Sequence, residues 1–62
     1  YSQLQLALSK LEASDREVIV MHKFHEIKYN ELAEIMDSTP GAVKTKVSRA
    51  LKKLKTIYLE SI

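Results

Sequence analysis

Apolar residues recur along most of the chain at three- and four-residue steps, the spacing of one face of an α-helix. Leu4, Leu8 and Leu11, widened by Ala7, predict a first helix over about residues 2–12. Ser14-Asp15-Arg16-Glu17 has the form of a capping box, Ser14 capping forward while Glu17 reaches back to its amide, and predicts a second helix over 15–24. The cluster Val18, Ile19, Val20, Met21 and Phe24 in that segment is too apolar for a surface, which makes it the expected central helix of the core. His25 to Lys28 reads as a connector with Ile27 turned inward. A short third helix follows over 29–36, apolar at Leu32, Ala33, Ile35 and Met36, and Asp37-Ser38 form a tight turn after it.

The fourth segment, predicted helical over 40–58, carries the most information. Thr39 is an N-cap type, and Pro40 fits the first helical position, where a missing amide hydrogen costs nothing. Val43, Val47, Ala50 and Leu54 form one narrow apolar stripe. Gly41, Lys44, Thr45, Ser48, Lys52 and Lys55 fall on the opposite face, with Lys46 and Arg49 at its margins. A small-residue start and an acid-free cationic front suit a helix entering the major groove, but a solvated amphipathic helix has the same look. The preceding helix and short turn favour the first reading, because a short helix, a tight turn and a basic second helix make a helix-turn-helix. Ala33 supports it, being small enough to let the two helices approach closely.

Sixty-two residues allow one domain, with a marginal core. One glycine and one proline among abundant Leu, Lys, Glu and Ala point to an all-α chain, here a four-helix arrangement around a three-helical, homeodomain-like or winged-helix-like core. The net charge of +2 conceals an asymmetry. Residues 1–43 hold four Lys/Arg and seven Asp/Glu, whereas 44–62 hold six Lys/Arg and one Glu. Opposite signs in the two halves imply two surfaces with different partners, one of them polyanionic. With no cysteine, disulfides and thiolate metal sites are excluded, and no apolar run nears the roughly 20 residues of a membrane span. The chain starts abruptly in helix-forming sequence and lacks a signal-peptide pattern, as expected for a piece of a longer cytoplasmic protein.

Four segments in this order resemble region 4 of bacterial sigma factors, particularly the extracytoplasmic-function group. They are Ala7-Leu8-Ser9-Lys10-Leu11, then Arg16-Glu17-Val18-Ile19-Val20-Met21, then Tyr29-Asn30-Glu31-Leu32-Ala33-Glu34-Ile35-Met36, then Pro40-Gly41-Ala42-Val43-Lys44-Thr45-Lys46-Val47-Ser48-Arg49-Ala50-Leu51. The resemblance spans roughly Ala7 to Ile57 and implies a module that binds the minus-thirty-five promoter element while docking on the β flap of core RNA polymerase. It also implies an anti-sigma factor as a possible partner. Carried over by position, it puts Lys44, Thr45, Ser48 and Arg49 near bases and Lys46 and Lys52 near phosphates, with Thr39, Gly41 and Ala42 where backbone meets the duplex. The chain departs from the family pattern where Glu12 replaces a proline, Glu26 a glycine, Lys28 a capping Ser/Thr and Asp37 a turn glycine. Lys44 and Lys46 stand where arginine is frequent, and lysine lacks the fork that reads guanine bidentately.

Other readings weigh less. Leu4, Leu8 and Leu11 would form a protein-docking face if left partly exposed, and a LuxR-type dimeric regulator has a similar DNA-binding domain. His22 and His25, with Glu26 beside them, make a conceivable metal pair, but two imidazoles without a settled third ligand read as structural, so no metal and no cofactor is expected. Met21 and Met36 read as core filler, and Tyr1, Tyr29 and Tyr58 as half-buried plugs. No nucleophile-base or paired-carboxylate arrangement is present, so no catalytic residue and no enzyme is expected.

Overall fold

A computed structural model describes residues 2–60. Helix α1 spans Gln3–Ser9, α2 Ala13–Ile19, α3 Tyr29–Ile35 and α4 Pro40–Glu60, and α2 runs on into a π-helical turn over Val20–Phe24. The expected all-α, four-helix order is present, with α4 as the long element against which α1, α2 and α3 all pack.

The core follows from the helical stripes. Ala7, Leu8 and Leu11 from the first segment, Val18 and Ile19 from α2, and Leu32 and Ala33 from α3 close over Val43, Val47, Ala50 and Leu54 of α4. Burial of a side chain of this size stabilises by about 1.5–3 kcal/mol, so these few residues supply most of the drive to fold. Ala33 is 4% exposed and does allow α3 to lie close on α4. Tyr29 and Tyr58 are half-buried against this core, as expected, whereas Met36, read as core filler, is also only half-buried, and Tyr1 lies outside the described residues.

Several expectations are corrected. Leu8 and Leu11 belong to the core and cannot form a docking face; of that trio only Leu4 is exposed. Phe24 is 54% exposed because it closes the π turn, all of whose side chains lie outside the buried core. Ile35 is 61% exposed because α3 offers α4 only the face of Leu32, Ala33 and Met36. The capping box does not form. Glu12 is the N-cap of α2 and makes no side-chain cap bond. The helix begins at Ala13, which places Asp15 in its first turn, aimed at lysines of α4 and favoured there by the helix dipole. Helix α1 is shorter than expected, because the amides of Lys10 and Leu11 close it with tight bonds to Ala7 and Leu8 carbonyls.

The turn between α3 and α4 is a complete Schellman motif. Asp37 adopts φ 53°, its amide donates to Glu34 O at 3.3 Å, and Ser38 N donates to Ala33 O at 2.8 Å. The connector after the π turn uses the same device at Glu26, φ 56°, with Ile27 N donating to Met21 O at 3.1 Å.

Candidate nucleic-acid interface

The start of α4 is locally determined. Thr39 Oγ1 accepts a hydrogen bond from Ala42 N at 3.2 Å, and the Thr39 carbonyl accepts from Val43 N at 3.0 Å. Pro40, next in line, has no amide hydrogen to satisfy. Gly41 is exposed, and a methyl group built on it would touch nothing within 4 Å. The fold itself therefore makes no demand for glycine there, and the open space lies on the outer face of the helix start.

From this start the stripe of Val43, Val47, Ala50 and Leu54 is buried, each at 9% exposure or less. Burial of that stripe fixes the rotation of α4 and turns Ala42, Lys44, Thr45, Ser48, Arg49, Lys52 and Lys55 outward, all exposed. The structure thus brings Thr39, Gly41, Ala42, Lys44, Thr45, Ser48, Arg49 and Lys52 onto one continuous surface. Among the described residues, Lys44, Ser48, Arg49 and Lys52 make no side-chain hydrogen bond or ion pair. Thr45 Oγ1 donates back to the Gly41 carbonyl at 3.1 Å, leaving its acceptor capacity outward. The face offers uncommitted cations and hydroxyls with no acid between them, which is what phosphate and base-edge contact requires.

Lys46 differs from its neighbours. It is half-buried, and its ammonium lies 3.5 Å from Ser14 Oγ and 3.5 Å from Asp15 Oδ1. Lys53, two helical turns on and on the same side, donates to Asp15 Oδ2 at 3.0 Å. Asp15 is 5% exposed, the buried acid of the core. The Lys53 hydrogen bond holds its carboxyl below the ordinary value of 3.8 despite the opposing effect of burial, and the charges of Lys53 and Lys46 add to this. The pair therefore stabilises the fold above that ordinary value, and its contribution is lost as the pH falls through the lowered one. Sequence reasoning missed this cluster because its partners are more than thirty residues apart; the one legible trace was Lys46 and Lys53 at a seven-residue spacing.

His22 has a structural role. His22 Nδ1 donates to the Ile27 carbonyl at 2.9 Å, and its ring stacks on Tyr29 with centroids 4.3 Å apart. His22 thereby ties the π turn to the start of α3. Among the described residues no three His, Cys, Asp or Glu side chains converge as a metal site would require.

A family model described as sigma-70, region 4, matches residues 1–54, a span that takes in every residue of the buried core. The chain belongs to the sigma-70 region 4 family. This family is a helix-turn-helix, DNA-binding region of sigma factors that serves transcription initiation and meets both promoter DNA and RNA polymerase. No curated protein and no solved structure matches the chain. In this region 4, α3 and α4 are the helix-turn-helix, and the exposed cationic face of α4 is its second helix. No helix among the described residues is long and apolar enough to cross a membrane.

Proposed function

We propose that the chain recognises the minus-thirty-five promoter element through α4, as part of a sigma factor that directs RNA polymerase to initiate in the bacterial cytoplasm. The observation that carries this reading is the uncommitted, acid-free outer face of α4, set in rotation by the buried stripe behind it. Lys44, Thr45, Ser48 and Arg49 face the bases, with Arg49 the one side chain able to bond guanine bidentately. Lys52 faces the phosphates. Thr39, Gly41 and Ala42 lie at the helix start, where small side chains let the backbone amides approach a phosphate.

An amide-shift titration of the labelled chain with a promoter-like duplex tests this. Shifts concentrated between Thr39 and Lys55, reversed by added salt and lost in Lys44→Glu, are expected. Shifts confined to residues before Phe24 would overturn it.

A second reading concerns polymerase. Leu4, Leu51, Leu54 and Tyr58 line an apolar groove of about 310 Å³ between α1 and α4, with Lys55 at its rim. An exposed apolar groove on a small domain suits a docked helix, here the β flap of core RNA polymerase, or an anti-sigma factor competing for the same place. Leu4→Glu should abolish polymerase docking and leave DNA shifts unchanged.

A further inference from the structure

From the Asp15–Lys46–Lys53 cluster we infer that Asp15 is a positioning residue for DNA binding, withdrawing Lys46 and Lys53 from the phosphate-contacting set and so limiting the footprint of α4 to one side. The inference rests on the DNA-binding reading above and sharpens it. Six cations lie on α4, and counting them alone would give every one to the duplex. The geometry divides them. Lys44, Arg49, Lys52 and Lys55 are exposed and make no ion pair among the described residues. Lys46 and Lys53 both end on the Asp15 carboxylate, at 3.5 and 3.0 Å.

Moving either lysine to a phosphate would strip a partner from a carboxylate that is 5% exposed, and a buried charge short of its partners is disfavoured. The duplex would also bring its own negative charge towards Asp15. The carboxylate lies at the edge of the DNA face itself, for it lines one concavity together with Ala42, Thr45, Lys46, Arg49 and Lys53. It therefore acts as a negative boundary there, so that α4 meets the backbone through the Lys52 and Lys55 side.

Salt dependence measures this directly, because each phosphate-contacting cation adds about 0.9 to the slope of log affinity against log salt. The experiment is a fluorescence-anisotropy titration of a short mixed-sequence duplex with the full 62-residue chain at several salt concentrations. Lys52→Ala should reduce the slope by about 0.9, and Lys46→Ala by less than half of that. Asp15→Asn, checked for folding by circular dichroism, should steepen it by about 0.9 for each lysine released. Between 50 and 200 mM salt, one such contact changes the loss of affinity roughly threefold. Lys46→Ala keeps the Asp15–Lys53 pair, so it reports even if Asp15→Asn does not fold. Equal slope losses in Lys46→Ala and Lys52→Ala would overturn the inference and leave the DNA-binding reading intact. A wild-type chain with no salt-dependent affinity would overturn that reading, and the inference with it.

Discussion

Glu26 and Asp37 occupy equivalent places in the two connectors that frame α3. Each has positive φ, 56° and 53°, each follows the last turn of a helix, and each lies two residues before the next N-cap, Lys28 or Thr39. In both connectors the following amide reaches back to close the helix. Ser38 N returns to Ala33 O, and Ile27 N to Met21 O, one residue further because the turn it closes is π-helical. The side chains differ in every respect that matters. Asp37 is a residue type that tolerates the left-handed region, and Thr39 caps α4 with its hydroxyl. Glu26 gains nothing from that region, and Lys28 makes no side-chain cap bond. The turn that sets α4 is thus written into its own residues. The other is held from outside, by the His22–Ile27 bond, the His22–Tyr29 stack and the inward packing of Ile27.

If that contrast is right, removing the outside support should hurt most. His22→Ala loses one part-buried hydrogen bond, worth about 1 kcal/mol, and a ring stack worth about 0.5–1.5 kcal/mol. A loss near 2 kcal/mol in urea denaturation is expected, which is large for a domain this small. A loss below about 0.5 kcal/mol would mean that the first connector is as autonomous as the second. Thr39→Ala is the matching cut at the second turn and should cost about 1 kcal/mol. Faster amide exchange confined to residues 41–43 would show that the damage is local, whereas exchange rising along all of α4 would break the contrast from the other side.

The same division explains what could be read in advance. Thr39, Pro40 and the four-residue stripe from Val43 to Leu54 announce α4, its start and its outward face, because each signal acts within one turn of the chain. The second helix was harder. Ser14 to Glu17 spell a capping box, yet α2 starts at Ala13, and Asp15 pairs with lysines more than thirty residues away that no local pattern announces. Leu8 and Leu11 fitted either a core or a docking surface on periodicity alone, and only the packing of α1 on α4 decides between them. The exposed groove at Leu4, Leu51 and Tyr58 draws on both ends of the sequence, so no local pattern foretold it.

Repair of the first connector gives smaller effects and a finer test. Lys28→Ser supplies the missing cap of α3, and a gain of about 0.8 kcal/mol is expected, close to what a good cap contributes elsewhere. No gain in urea denaturation would imply that the amides at the start of α3 are already satisfied by solvent.

The smallest effect discriminates most sharply, because it compares one substitution at two equivalent sites. A left-handed conformation costs an ordinary L-residue about 1–2 kcal/mol, and glycine escapes that cost. Glycine also enlarges the freedom of the unfolded chain, which returns about 0.5–1 kcal/mol to the unfolded side. At Glu26 the first quantity exceeds the second, so Glu26→Gly should stabilise by about 0.5 kcal/mol. At Asp37 the starting residue already tolerates positive φ, the two quantities nearly cancel, and Asp37→Gly should leave the urea midpoint unchanged within error. Equal gains at both sites would show that Asp37 bears the same strain as Glu26, and the turn before α4 would then owe its shape to packing as much as the first does.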